Sequence, residues 1–293
     1  MMASSHSQSQ HTIDRITKLP FFLMSRIVSF LPTKEAVATS VLSKDWEHVW
    51  TNVNMIDFDF DNDKDTTQQQ QEEEEAKWKN KDIVYSVLLC TQDLYLERFR
   101  LHGTCSLDCS PLELKLWVDC AIRRRVEEVD IAVPRSILSR LLFTSDTLEI
   151  LKLHLVDLTF LAQLSVCLPQ LRFLQLRNVD FHHHDCFLLK LLAASPNLEQ
   201  LLLDPTSSTT LTELDAERKD KQCLSHLRTF CIKDYAGVQG EERLVKYVMK
   251  NATVLEKVTI SFADHLESEK RDQVKQWLLA LTGSSEACEI EFD

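Results

Sequence analysis

Residues 14–50 read DRITKLPFFLMSRIVSFLPTKEAVATSVLSKDWEHVW, a dense apolar segment that contains two prolines and ends in two tryptophans. Leu19, Leu23 and Ile27 recur every four residues, which places them on one face of a predicted helix. Pro20 stands in the first turn, where a proline loses no hydrogen bond. About forty residues cannot bury this much apolar surface by themselves. The segment is therefore predicted to bind a partner.

Two further helices are predicted after Pro32, which ends the first one. Thr33 is suited to cap the second helix, and Ser43 is suited to cap the third. In the third helix Trp46 and Trp50 are four residues apart, so the two indoles share a face. That face is predicted to anchor either a small core or a partner.

These residues resemble the F-box of plant proteins, because the pattern LP..L...I.SFLPTK.AV.TSVLSK.W..VW is nearly complete and is followed by MIDFD. The resemblance implies docking onto a Skp-type adaptor and, through it, onto the cullin and RING subunits of a ubiquitin ligase. A three-helix packing unit without a partner is the alternative interpretation. The adaptor-binding residues implied by the resemblance are Leu19, Pro20, Leu23, Ile27, Leu31, Pro32, Val37, Leu42, Ser43, Trp46 and Trp50.

The charges around this apolar pattern differ from those of the family that it resembles. Phe21 and Phe22 stand where acidic residues are usual, and Asp45 and Glu47 stand where basic residues are usual. If Asp45 and Glu47 face an acidic adaptor, repulsion between like charges is expected to weaken binding.

Composition excludes several classes of function. The chain has 293 residues and a net charge of −12, which argues against a nucleic-acid binder because such a protein needs a basic stripe. The sequence contains no stretch of 18 uninterrupted apolar residues, so no membrane span is predicted. The polar start MMASSHSQSQH does not resemble a signal peptide. The protein is expected to act in the cytoplasm, the nucleus or both. Its nine cysteines are expected to stay reduced there.

An acidic segment follows the F-box-like region. Between Asp57 and Asp82 there are ten acidic residues and four lysines, with a run of glutamines before a run of glutamates. This composition is typical of a solvated spacer. Residues 57–80 are therefore predicted to form a flexible linker.

The rest of the chain repeats a motif of the form L-x-x-L-x-L. Seven copies begin at Leu96, Val126, Leu148, Leu171, Leu198, Leu227 and Leu255, at intervals of 30, 22, 23, 27, 29 and 28 residues. Each copy is predicted to form a short strand, and helical returns are predicted at KLWVDCAIRRR, CFLLKLLAAS and EERLVKYVMKN. The predicted fold class is α/β, a leucine-rich-repeat solenoid of parallel strands with helical returns, preceded by three helices. The N-terminal helices and the last segment are expected to cover its two ends.

The repeats also resemble those of plant F-box proteins that end in an FBD region. The stretch from RLVKYVMKNATVLEKVTI to the last residues is similar to the FBD region itself. The predicted domains are an F-box at 11–56, the linker at 57–80, leucine-rich repeats at 81–226 and an FBD-like repeat and cap at 227–293. The resemblance implies a substrate-recognition subunit of an SCF-type ubiquitin ligase, which is not itself an enzyme.

Strand alternation identifies the open face of the predicted sheet. If the leucines of each motif point inward, the residues between them point outward. Arg100, Asp130 and Lys152 then form a lateral row of alternating charge, which either neutralises itself or belongs to a substrate-binding face with Ile150 and Phe173 as apolar anchors. His102 and Glu128 lie on the same face. The predicted substrate-binding residues are Arg98, Arg100, Asp130, Ile150, Lys152, His154, Phe173, Gln175 and Arg177.

Catalytic and metal-binding motifs are weak, and no cofactor is predicted. Four glycines in 293 residues form no phosphate-binding loop. The run His182, His183 and His184 does not predict a metal site, because adjacent side chains point in different directions. Two alternatives to a ligase subunit stay open: an interaction protein that does not promote degradation, and a co-receptor for a small molecule.

Overall fold

A computed structural model describes residues 16, 19–60, 70–91, 95–103, 109–133, 143–155, 166–179, 186–205, 224–281 and 288–293. The chain divides into two compact units, Met1–Val53 and Asn54–Asp293.

The first unit is built from short helices. Helix α1 spans Phe21–Val28 and α2 spans Thr33–Ala38, and Pro20 and Pro32 directly precede them in extended conformations. Two 3₁₀ turns follow at Thr39–Val41 and Val49–Asn52. The buried apolar core of this unit consists of Met24, Val28, Ala36, Trp46, Val49 and Val53.

The prediction of a third helix that carries both tryptophans is wrong. Residues 44–48 form turns, and Trp50 lies in the 3₁₀ turn Val49–Asn52. The indole of Trp46 is 2% exposed, whereas Trp50 is half-buried. The two indoles therefore do not share a helix face. Trp46 belongs to the core.

The second unit is organised around one parallel sheet of nine strands. Their order is β1-β2-β3-β5-β7-β8-β9-β10-β11, so neighbouring strands follow one another along the chain. β4 and β6 form a separate parallel pair. The strands are β1 Met55–Asp59, β2 Arg98–His102, β3 Glu128–Val133, β4 Phe143–Thr144, β5 Ile150–Leu155, β6 Val166–Cys167, β7 Phe173–Val179, β8 Gln200–Pro205, β9 Thr229–Tyr235, β10 Lys257–Phe262 and β11 Glu289–Phe292.

All seven copies of the repeated motif contribute a strand of the large sheet, which confirms the prediction. The fourth and sixth residues of each copy are buried, as in the case of Leu174 and Leu176 of β7. The third and fifth residues, such as Phe173 and Gln175, point to the opposite face because side chains alternate along a strand. Burial of one such leucine side chain contributes about 1.5–3 kcal/mol.

A ladder of backbone hydrogen bonds connects equivalent positions of successive copies. The N–H of Glu127 donates to the carbonyl of Glu97, and the N–H of Glu149 donates to that of Glu127. The same step recurs at the second residue of every later copy as far as Glu256, and Glu289 extends it to β11. This repetition keeps neighbouring strands in one register.

Helical returns occupy the predicted positions. Among the described residues of the unit, the helices are α3 Gln70–Cys90, α4 Pro111–Arg123, α5 Cys186–Ala193, α6 Gln239–Asn251 and α7 Ser268–Leu281. Ser110 caps α4 in a reciprocal arrangement: its hydroxyl accepts from the backbone N–H of Glu113, and the carboxylate of Glu113 accepts from the N–H of Ser110. No helix in the described ranges is long and apolar enough to cross a membrane.

The segment predicted as a linker contains regular structure. Residues 57–59 lie in β1, and residues 70–80 lie in α3. From Ile56 onward, β1 alternates apolar and polar residues, so Ile56 and Phe58 are buried while Asp57 and Asp59 are only partly buried. β1 pairs in parallel with the first repeat strand, with Asp57 opposite Arg100. The last segment extends the other edge of the sheet through β11.

Glu241 of α6 is a buried carboxyl group in the C-terminal part of this unit. One of its oxygens accepts from the backbone N–H groups of Ala236, at 3.0 Å, and Val238, at 3.2 Å. Its other oxygen and the hydroxyl of Tyr235 have no hydrogen-bond partner among the described residues. Burial raises the pKa of Glu241 to about 7, against the lowering effect of the backbone hydrogen bonds.

We expect Glu241→Gln to reduce the loss of stability with rising pH. The folded protein keeps the Glu241 proton up to about pH 7, whereas the unfolded chain loses it near the ordinary pKa of 4.5. The free energy of unfolding of the wild type therefore falls by up to about 3 kcal/mol between those values, because the unfolded state binds fewer protons. Gln keeps the acceptor for the two N–H groups and has no charge.

Urea unfolding at several pH values between 4.5 and 8 measures this effect. The advantage of Glu241→Gln over the wild type should grow with pH. Glu269→Gln, at an exposed position of α7, is the matched control and should not change the slope. An identical pH dependence in wild type and Glu241→Gln would contradict the prediction.

Candidate binding surfaces

The first unit exposes apolar side chains on its surface. On α1, Met24 and Val28 point into the core, while the remaining apolar residues lie outside it. Phe22 is 68% exposed, and Phe30, just after the helix, is 71% exposed. An apolar surface on so small a unit is typical of a site that binds another protein. Its members in the described region are Ile16, Phe21, Phe22, Leu23, Ile27, Phe30, Val41 and Leu42, which we call the apolar surface.

The predicted adaptor-binding residues occupy three environments. Exposed positions are Pro20, Leu23, Ile27, Pro32 and Leu42, and half-buried positions are Leu19, Leu31, Val37, Ser43 and Trp50. Trp46 differs from the expectation, because a side chain that is 2% exposed packs inside the unit and cannot reach a partner. Its buried position suits it to holding the surrounding chain in place.

Sequence reasoning about the motif missed part of the apolar surface. Phe30 and Val41 are not among the predicted adaptor-binding residues, yet Val41 is 85% exposed. The signal was present in the sequence, since both residues are large and apolar and lie beside predicted helix ends. Asp45 and Glu47, whose charges differ from the usual pattern, are also exposed.

In the second unit, one face of the sheet carries polar side chains on strands β1, β2, β3, β5 and β7, which we call the polar face. The register aligns Arg100 with Asp130 and Asp130 with Lys152, which confirms the predicted lateral row. Gln175 continues the row on β7. The ion pairs are not confined to the row, because long side chains also reach residues two positions away on the next strand.

Glu128 forms ion pairs with two positively charged residues of the predicted substrate-binding set. Its carboxylate accepts from Arg98 at 2.8 Å and from Lys152 at 2.6 Å, so Lys152 pairs with Glu128 on the neighbouring strand. Burial raises the pKa of Glu128, but these two hydrogen bonds outweigh burial and hold it below its ordinary value. Lys152 also lies 5.9 Å from the centre of the Phe173 ring.

Asp130 lies at the centre of a second cluster. The Nε2 atom of His102 is 2.8 Å from Asp130 Oδ1, and the Nε2 atom of His154 is 3.2 Å from the same oxygen. Burial raises the pKa of Asp130, but the hydrogen bonds from the two imidazoles outweigh burial and hold it well below its ordinary value. The imidazole rings are 4.5 Å apart, edge to face.

Arg100 connects this cluster with the first strand of the sheet. Its guanidinium lies 3.1 Å from Asp57 and 3.4 Å from Asp59, both on β1. It also lies 3.8 Å from Asp130 Oδ2 and 3.4 Å from Nδ1 of His102. The segment predicted as a linker therefore supplies two carboxylates to the polar face.

The remaining predicted substrate-binding residues, some apolar and some polar, lie on β5 and β7. Ile150 and Phe173 are paired in the register and both are half-buried. Arg177 pairs with His154 in the register and is half-buried, whereas Gln175 is buried. The nine predicted substrate-binding residues thus lie on four repeat strands, β2, β3, β5 and β7, on one face of the sheet.

Comparison with known proteins finds a family match in each unit. The F-box domain family matches residues 16–57, and the FBD family matches residues 221–260. An F-box/FBD/LRR-repeat protein of Arabidopsis thaliana is 34% identical over 199 residues, which cover 66% of this chain and 44% of that protein. The chain thus spans less than half the length of this relative.

Two other relatives from the same plant are covered more fully. An F-box/LRR-repeat protein is 31% identical over 293 residues, which cover 92% of this chain and 90% of that protein. An FBD-associated F-box protein is 30% identical over 277 residues, which cover 87% of this chain and 66% of that protein. Since one relative aligns over nearly its whole length and both family matches fall where their motifs stand, the chain belongs to the F-box/LRR-repeat proteins that carry an FBD region.

Proposed function

We propose that this protein is a substrate-recognition subunit of an SCF-type cullin-RING ubiquitin ligase. In this role the F-box binds a Skp-type adaptor, which connects it to the cullin and RING subunits, and the repeats select a protein for ubiquitination. The subunit itself catalyses no step. It acts in the cytoplasm, the nucleus or both.

The observation that carries the proposal is the apolar surface of the first unit. Its large side chains gain about 25 cal/mol for each Å² that a partner removes from water. Ile27 and Leu42, both predicted from the motif, lie on it, and Phe30 and Val41 enlarge it. We assign the adaptor contact to these residues and to the half-buried members of the predicted set.

The polar face of the second unit supports the substrate-binding half of the proposal. It combines half-buried apolar side chains, Ile150 and Phe173, with charged groups that are already held in place by ion pairs. Apolar anchors with fixed polar groups beside them are typical of protein-binding surfaces. The charged groups already pair with one another, so selectivity depends mainly on the apolar residues.

Affinity purification of the full chain from plant cells treated with a proteasome inhibitor tests the proposal. We expect the Skp-type adaptor and the cullin to be recovered together with ubiquitinated proteins. Recovery of the adaptor without any protein whose ubiquitination depends on this chain would favour an interaction protein that does not promote degradation. Absence of the adaptor from the purified complexes would refute the proposal.

The exposed acidic pair beside Trp46 gives a separate prediction. If the adaptor presents an acidic surface at this position, Asp45→Lys with Glu47→Lys should tighten binding several-fold, mainly by faster association. The gain should shrink as salt concentration rises, because exposed charges are screened. Surface plasmon resonance at two ionic strengths measures both effects. The matched control is Asp264→Lys with Glu267→Lys, an exposed acidic pair of the second unit; an equal gain from the control would contradict the prediction.

A further inference from the structure

We propose that His102, Asp130 and His154 form a binding site for a divalent transition-metal ion, with Zn²⁺ as the best match. The three residues come from β2, β3 and β5, and their ligand atoms all lie within 4.8 Å of one another. The site does not depend on adaptor binding, and it lies on the face that we assign to substrate recognition.

The strand geometry explains how these side chains meet. β2 and β5 lie on either side of β3, so their backbones are about 9.6 Å apart. On β3 the residue paired with His154 is Ala132, whose methyl group leaves space above the strand. The two imidazoles fill that space, which brings their centres to 4.5 Å. Asp130, two residues earlier on the same face, points its carboxylate between them.

The separations suit tetrahedral coordination. With metal–nitrogen and metal–oxygen bonds of about 2.0–2.2 Å, neighbouring ligand atoms of a tetrahedron are about 3.3 Å apart. The two observed N–O separations, 2.8 and 3.2 Å, come within about half an ångström of this value, and all three ligand atoms lie within 4.8 Å of one another. Each of the three side chains is 13–18% exposed, which leaves a path for an ion and a position for water as the fourth ligand.

The chemistry of the donors selects the class of metal. Two imidazoles and one carboxylate suit Zn²⁺, Co²⁺ and Ni²⁺, whereas Mg²⁺ and Ca²⁺ prefer oxygen ligands throughout. Binding requires both Nε2 atoms to be free of protons, so each neutral imidazole must carry its proton on Nδ1.

Arg100 opposes the placement of a proton on Nδ1 of His102. Its guanidinium donor lies 3.4 Å from Nδ1 of His102, so a proton on Nδ1 places two donors face to face. Its charge also repels a cation, although Asp57 and Asp59 partly neutralise it. Removal of Arg100 should therefore tighten metal binding. A hydrogen-bonded cluster without metal affinity does not behave in this way.

Titration of the full, reduced chain with ZnCl₂, and with CoCl₂ as an optical probe, tests the site. The wild type should bind one Zn²⁺ that His102→Gln and His154→Gln weaken by at least about 100-fold. Gln keeps a donor for Asp130 but is a poor metal ligand, and circular dichroism checks the fold of each variant. Arg100→Gln should tighten binding about tenfold, because it removes the charge and supplies an acceptor for Nδ1–H.

The control is His226→Gln, at an exposed histidine elsewhere in the second unit, which should bind as the wild type does. Bound Co²⁺ should show the visible bands of a tetrahedral site without the intense near-ultraviolet band of a thiolate ligand. Either a wild type that binds no Zn²⁺ or binding that persists unchanged in His102→Gln and His154→Gln would overturn the proposal. Adaptor recovery is unaffected in both cases, so this result is separable from a failure of the proposed ligase function.

Discussion

Ile27→Gln is expected to weaken adaptor binding by about 30-fold to 1000-fold, the loss typical of a central interface residue worth about 2–4 kcal/mol. Ile27 lies on α1 within the apolar surface and is 46% exposed. Gln is a good helix former, so the first unit should keep its fold. In the complex, however, the amide replaces apolar contacts and loses water without a hydrogen-bond partner.

Isothermal titration calorimetry of the full chain with a purified Skp-type adaptor measures the effect. Leu116→Gln is the matched control, because Leu116 of α4 is also 46% exposed and lies in the second unit. The control should bind the adaptor with wild-type affinity. Equal affinities for Ile27→Gln and wild type would show that the apolar surface on α1 is not the adaptor site.

Leu174→Ala is expected to destabilise the second unit by about 2–5 kcal/mol. Leu174 is fully buried in β7, and its register partners are Leu151 of β5 and Leu201 of β8. Truncation leaves a cavity in the middle of the sheet, where the backbone ladder keeps the neighbouring strands from closing it. The cost therefore lies well above the lost transfer free energy of the side chain alone.

Urea unfolding followed by circular dichroism gives the free energy change. Phe173→Ala is an informative control, because the adjacent residue points to the opposite face and is only half-buried. It should cost less than about 2 kcal/mol and should weaken substrate recovery in cells instead. A cost for Leu174→Ala below that of Phe173→Ala would mean that the side-chain alternation assigned to β7 is wrong.

The repeat strands were predictable because the pattern that predicts each strand lies within a few consecutive residues. Each copy alternates inward-facing and outward-facing positions, and each begins with Leu or, in one copy, Val. Equivalent positions of successive copies lie side by side on neighbouring strands. The row of Arg100, Asp130 and Lys152 was therefore predictable by counting residues. The returns at α4, α5 and α6 followed from apolar residues spaced three and four apart.

Other features depend on which side chains meet in space. Lys152 is the register neighbour of Asp130, yet its ion pair is with Glu128, because a flexible chain reaches diagonal positions as easily as direct ones. Asp130 instead accepts from His102 and His154, which lie on the two strands next to its own. Residue spacing does not rank such competing contacts.

The sequence by itself determined the parallel repeat strands and the positions of three helical returns, since both depend on residue periodicity. Only the tertiary structure decided that Trp46 is buried while Ile27 stays exposed, that Asp57 and Asp59 belong to a strand beside Arg100, and that two histidines close around one aspartate. The physical reason is distance along the chain. His102 and His154 are separated by 52 residues, and their proximity depends on register, strand order and the small side chain of Ala132 acting together.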